Sequence, residues 1–136
     1  MSEQIEHIKL CQYIKQTYPD VIFLSDMSGI NLTMSHSTKN WGKIHQMKQM
    51  RSSNGIPDLI VLAPRNGYHG LCIELKKTGE KIYKRDGITL KDDHLQEQWE
   101  VLCKLEDCGY YAKFAIGLEN AKELVDYYFS SGIKYM

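Results

Sequence analysis

Two short apolar runs, "DLIVLA" at 58–63 and "LCIEL" at 71–75, are separated by only seven residues, "PRNGYHG". Runs of this length, bounded by Gly, Pro and Asn, predict buried strands rather than helices. So short a link predicts that the two strands pair antiparallel. A two-stranded pair cannot bury both of its own faces, so it needs helices or further strands around it.

The rest of the chain supplies them. Residues 3–17 predict a helix, with Ile8, Leu10, Cys11, Ile14 and Tyr18 on one side at about 100° per residue, and Pro19 as its stop. Glu3 and His7 fall towards that apolar side, and Glu6 lies at its edge. "VIFL" at 21–24 predicts a short buried strand, and "WGKIHQMKQMRSS" a helix with bases on its outer face. "KIYKRDGITL" predicts a second small hairpin turning at Asp86-Gly87. Residues 92–108 predict the clearest helix, closed by Gly109. Gln98 falls on its buried stripe beside Leu95, Leu102 and Leu105, where an amide needs a partner. "YAKFAI" predicts a strand and "LENAKELVDYYF" a final amphipathic helix. The expected class is α/β, a small mixed central sheet flanked by helices. With 136 residues and no Pro/Ser linker, residues 1–136 are expected to form one domain.

Apolar residues make up 43% and charged residues 25%, an ordinary globular mixture. No apolar run approaches the roughly 20 residues of a membrane span, and "MSEQIEHIKL" is not a signal peptide, so a cytoplasmic location is expected. Cys11, Cys72, Cys103 and Cys108 form no CxxC pair and are expected to be free, mostly buried thiols.

Net charge is zero, but its distribution is uneven. Between Met27 and Pro57 there is no acid, against Lys39, Lys43, Lys48 and Arg51. From Lys76 to Lys91 six bases face two acids, and from Asp92 to Asp126 nine acids face three bases. A local basic surface can neutralise phosphates on a molecule that is neutral as a whole. Lys39, Lys43, Lys48 and Arg51 are the first candidates for phosphate contacts, and Lys81, Lys84 and Arg85 the next.

Strand side chains alternate, so Cys72, Glu74 and Lys76 share one face of "LCIELK", opposite Leu71, Ile73 and Leu75. Asp58 starts the preceding strand, and in a hairpin it falls near the same end as Glu74. Two close carboxylates repel, and one keeps its proton unless a cation is present. Oxygen ligands favour Mg²⁺, Mn²⁺ or Ca²⁺ over zinc. A lysine beside the attacking water completes a set suited to metal-assisted phosphodiester hydrolysis.

"NGIPDLIV", "GYHGLCIELKK" and "HLQEQWEVLCKLEDCGYYAKFAIG", with the acid-bearing first helix, resemble the PD-(D/E)xK nucleases, specifically the virus-type replication-repair nuclease (VRR-NUC) domains of phage-like proteins. The resemblance covers nearly the whole chain. It implies a restriction-endonuclease-like core and a Mg²⁺- or Mn²⁺-dependent DNA endonuclease. By that resemblance Asp58, Glu74 and the main-chain carbonyl of Leu75 would hold the metal, Lys76 would act on the attacking water, and Gln98 would support the site. The family's first-helix acid maps best onto Glu3, with Glu6 as the fallback. Branched or Holliday-junction DNA, a homodimer and a bacterial-host or phage setting are further implications. The alternative is a nucleic-acid-binding module with a vestigial site. The aromatic-rich end "LVDYYFSSGIKYM" offers a patch for a second copy, although a docked helix explains it equally well. His69 is expected to serve its turn, His7 to be an ordinary partly buried histidine, and Asp26 and Ser28 either to face DNA or to cap a turn.

Overall fold

A computed structural model of the chain describes residues 2–25 and 39–130. In chain order these form α1 (Glu3–Thr17), β1 (Phe23–Ser25), α2 (Lys39–Gln49), β2 (Leu59–Val61), β3 (Leu71–Lys76), α3 (Asp93–Asp107), β4 (Tyr111–Ile116) and α4 (Leu118–Ser130). The strands make one sheet in the order β1-β2-β3-β4. The β1/β2 and β2/β3 pairs are antiparallel, and β3/β4 is parallel, with α3 in the connection. The architecture is the mixed α/β sheet with flanking helices that the sequence pattern predicts.

Alternation along β3 divides the core. Leu71, Ile73 and Leu75 join Leu59, Val61 and Ala115 on one face, covered by Leu10 and Ile14 of α1 and Ala121, Val125 and Tyr128 of α4. Cys72 and Ala112 point the other way, onto Leu102 of α3. All six residues of β3 are buried. Glu74 and Lys76 therefore sit inside the molecule because their strand is central, not by chance of local sequence.

Local chemistry sets the ends of these elements. The Ser2 hydroxyl caps α1 by accepting from Ile5 N (3.2 Å), and the residue before Pro19 leaves helical geometry (Tyr18 φ −129°, ψ 68°). Asp92 caps α3 by accepting from Leu95 N at 2.9 Å. Asp126 of α4 accepts from both Tyr13 and Tyr18 hydroxyls at 2.7 Å, which ties α4 to the end of α1. Tyr128 donates to the Ala63 carbonyl at 2.6 Å. The aromatic C-terminal segment is thus largely committed to the core as far as Ser130; only Tyr127 among its aromatics is strongly exposed (62%).

Several expectations change. "VIFL" is an edge segment, with Ile22 and Leu24 exposed rather than buried, because β1 has a partner on one side only. Ile8 is exposed and Glu6 is buried, so the inner face of α1 is rotated from the apolar stripe towards the polar one. Residues 81–90 form a tight turn with a single bridge, Tyr83–Leu90, rather than two strands. The four cysteines are free, but only Cys72 is buried, because the other three lie on helix flanks or ends. Asp26 and Ser28 lie outside the described residues. No helix of the described residues is long and apolar enough to cross a membrane.

Candidate active site

The antiparallel register pairs Leu59 with Ile73. One step further along, Asp58 stands opposite Glu74, on the face of the sheet that looks towards α3. The Asp58 Oδ2 atom accepts the Leu75 N–H at 2.9 Å. That bond carries the β2/β3 pairing one step beyond the last strand residue and fixes the aspartate beside β3.

Gln98 reaches down from α3 onto the same spot. Its Oε1 accepts from Lys76 Nζ at 2.7 Å, and its Nε2 donates to Glu74 Oε1 at 2.9 Å. Lys76 Nζ also stands 4.0 Å from Glu74 Oε1 and 5.9 Å from the centroid of the Phe114 ring. The polar residue that looked misplaced on an apolar stripe is the clamp for the two charged residues of β3. Gly55 lets the loop before Asp58 lie against this helix. Its φ is +78°, and a Cβ there would meet the Gln98 N and Cα and the Glu97 carbonyl carbon at 3.3 Å.

Burial decides the electrostatics. Glu74 is 4% exposed, Lys76 7% and Gln98 5%. Burial, followed by the charge of Asp58 and a hydrogen bond with it, pushes the Glu74 carboxyl well above the usual carboxylate range, against the pull of Lys76. Burial also raises Asp58, although its hydrogen bonds with Glu74 and the Leu75 N–H and the charges of His7 and Lys76 oppose the rise. Of the two, Glu74 is the acid that keeps a proton when the pair stands alone. Its Oε2 is buried and receives no hydrogen bond from any donor among the described residues. A buried carboxylate oxygen without a donor, beside a second carboxylate, suits a hard divalent cation. Asp58 and Glu74 therefore fit such an ion. Among the described residues, however, no group of three or more His, Cys, Asp or Glu side chains is arranged to hold a metal.

The first helix separates its two acids. Half-buried Glu3 is pushed upwards by burial and then by the charge of Asp58, with Lys76 pulling the other way. It belongs to the electrostatic surroundings of the pair. Glu6 is 2% exposed and already satisfied: it accepts from both the N–H (3.0 Å) and the hydroxyl of Thr78, and from the Leu118 N–H. Gly117 makes room for this knot, since a Cβ at its φ of +87° would stand 2.5 Å from Thr78 Oγ1. Glu6 is thus a fastener between α1, the end of β3 and the start of α4. His7 is fully buried, with Nε2 2.5 Å from Ser25 Oγ, and its charge bears on Asp58. Nothing in the sequence around Ser25 or Thr78 marks either residue, because both partnerships form only across the fold. The His69 N–H donates to the Gly109 carbonyl at 2.8 Å and its ring lies against Gly109, so His69 ties the β2–β3 connection to the end of α3.

The candidate phosphate-binding bases are on the surface. Lys43, Lys48, Lys81, Lys84 and Arg85 are exposed and Arg51 is half-buried. Lys39 begins α2, and its side chain lies outside the description.

A small mixed sheet flanked by helices thus carries Asp58, Glu74 and Lys76 gathered at one end. A solved structure described as a VRR_NUC domain protein has this fold: the two match with a TM-score of 0.64 over 100% of this chain and 98% of that one, at 22% sequence identity. Identity at that level carries the fold alone. No protein-family model matches the sequence, and no curated protein does.

Proposed function

We propose that this protein is a metal-dependent phosphodiesterase acting on nucleic acid, with residues 1–136 as one nuclease domain. The observation that carries the reading is the Asp58–Glu74 pair: two adjacent carboxyls with raised pKa values and a buried Glu74 oxygen that meets no donor among the described residues. Asp58 and Glu74 would hold Mg²⁺ or Mn²⁺, joined by the Leu75 carbonyl and, from its half-buried place on α1, Glu3. When bound, the cation would neutralise charge on the phosphate and acidify a water. Lys76 would orient the attacking water through its N–H donors. Gln98 would keep Lys76 and Glu74 apart and in register. The bases on α2 (Lys39, Lys43, Lys48), Arg51 beyond it, and the turn bases Lys81, Lys84 and Arg85 would carry the strand by its phosphates. DNA is the preferred substrate in this reading, with branched DNA and a homodimer as its finer parts. The docking of α4 removes most of the C-terminal aromatic residues as support for that dimer.

One observation favours a second reading, a nucleic-acid-binding module with a vestigial site. Among the described residues only two side-chain acids meet directly at the site and no three-ligand group occurs, and the Lys76 ammonium is taken up by Gln98. On ligand count this second reading is the better supported; on the donorless Glu74 oxygen, the hydrolase is. Incubation with single-stranded, duplex, flapped and four-way-junction DNA in Mg²⁺, Mn²⁺ or EDTA separates them. The hydrolase cuts at least one form with metal and none in EDTA, and Lys76→Ala abolishes cutting. Binding without cutting at micromolar protein in either metal gives the case to the module.

A further inference from the structure

The turn at 82–91 does more than display bases. Its backbone is fastened by Lys84 N–Thr89 O and Lys91 N–Ile82 O bonds, both 2.8 Å. Asp86 accepts from Ile88 N (2.9 Å), Thr89 N (2.8 Å) and the Thr89 hydroxyl (2.5 Å), bonds that hold its carboxyl down at about 2. The turn is therefore pre-shaped. It leaves apolar side chains in the open: Ile88 is 82% exposed and Tyr83 45%. Facing them is Trp99 of α3, itself 44% exposed. Tyr83, Ile88, Thr89, Leu90, Gln96 and Trp99 line a groove of about 290 Å³.

Two relationships point to what fills it. The Trp99 ring lies nearly parallel to Phe114, with centroids 6.5 Å apart and an interplanar angle of 12°, so the plane of the indole is set by the sheet below. The same Phe114 ring lies under Lys76 Nζ, and Trp99 follows Gln98 in sequence, so the groove adjoins the Asp58–Glu74–Lys76 cluster. The turn that forms one wall carries Lys81, Lys84, Arg85 and Lys91, and the carboxylate of Asp86 is spent on the turn's own donors, while on the α3 wall Gln96 donates to Glu100 Oε1 at 3.5 Å. A flat aromatic surface beside a basic turn suits a planar heterocycle joined to phosphates.

We propose that the groove between the 82–91 turn and Trp99 is a stacking site for one unpaired nucleobase, with the flanking phosphates on Lys84 and Arg85. The inference rests on the nucleic-acid reading of the adjoining cluster and narrows it to a substrate class: strands that are single or locally unpaired beside the phosphodiester presented to Lys76. A perfect duplex keeps its bases stacked inside and cannot fill the groove without extruding one.

The test is equilibrium binding of labelled single-stranded, fully paired and single-base-bulged DNA in EDTA, by fluorescence anisotropy and tryptophan quenching. Trp99→Ala and the turn variant Tyr83→Ala, each checked by thermal melting, are expected to bind single-stranded and bulged DNA roughly 5- to 100-fold more weakly, with little change for perfect duplex. Trp99→Phe is expected to keep most of the affinity while losing the Trp99 part of the base-induced quenching, Trp41 being the other tryptophan of the chain. Lys84→Ala is expected to weaken all three ligands alike and to lower the salt dependence. Equal losses for duplex and unpaired DNA in Trp99→Ala and Tyr83→Ala, or no loss in either, overturn the stacking site and leave the nucleic-acid reading intact. Wild-type protein that binds none of the three overturns both.

Discussion

Asp58 stands directly opposite Glu74, one step beyond the Leu59–Ile73 pair of two antiparallel strands. The pairing places two carboxyls against each other inside the protein, and the consequences can be measured without knowing any substrate.

The first concerns pH. Both acids have folded-state pKa values above their ordinary ones, chiefly through burial. A raised pKa contributes stability below the unfolded-state value, and that contribution is lost as pH rises through the folded one. In EDTA the protein should therefore melt at lower temperature at pH 8 than at pH 5.5 by this contribution. Glu74→Gln mimics the protonated acid and supplies Asp58 with a donor. It should remove that part of the decline and stabilise the protein at pH 8 by about 1–3 kcal/mol, the cost of an unsatisfied buried polar group. Melting curves of both proteins across pH 5–8 check this.

Gln98 joins Lys76 and Glu74 through separate atoms of one amide. Gln98→Met keeps the volume and removes both bonds, leaving the buried Lys76 ammonium and the Glu74 carboxyl without that partner. We expect a loss of about 2–3 kcal/mol in urea unfolding. Any cleavage activity should fall further than stability does, because Lys76 loses its fixed position.

Glu6 shows the opposite pH behaviour. Burial pulls its pKa up, yet the Thr78 hydroxyl and N–H and the Leu118 N–H bring it below the ordinary value. A lowered pKa gives stability that is present above the unfolded-state value and lost as pH falls through the folded one. Glu6→Gln should cost about 1–2 kcal/mol at pH 7, the scale of hydrogen bonds to a charged group, and should flatten the acid limb below pH 5. Urea midpoints at pH 7 and pH 4 give the comparison.

Gly55→Ala places a methyl group 3.3 Å from the backbone of α3 at a φ of +78°. The left-handed conformation alone costs about 1–2 kcal/mol for an alanine. Denaturant unfolding should register that loss, and the Lys76–Gln98–Glu74 network should loosen because the loop leading to Asp58 pushes on the turn of helix that carries Gln98.

Much of this was legible in the sequence where periodicity and alternation apply. The antiparallel pair, the face shared by Glu74 and Lys76, and the inward Gln98 all follow from strand and helix periods. Asp58 was legible because the short 64–70 connection pairs its strand antiparallel with the one that carries Glu74. The reversed burial of Ile8 and Glu6 was not, since an acid is buried only where distant donors wait for it, here Thr78 and Leu118. Nor was the Tyr83–Trp99 groove: its two walls lie on different elements, and the hairpin pattern of 81–90 gives no hint that the segment closes with a single bridge. Edge position also escapes periodicity, which is why "VIFL" looked buried.

The central claim, that Asp58 and Glu74 form a cation site, is tested most directly by calorimetric titration of Mn²⁺ into wild-type and Glu74→Gln protein at pH 7.5. The account predicts saturable binding by the wild type and loss of that binding in Glu74→Gln. Equal Mn²⁺ binding by both proteins, or none by the wild type, would contradict it.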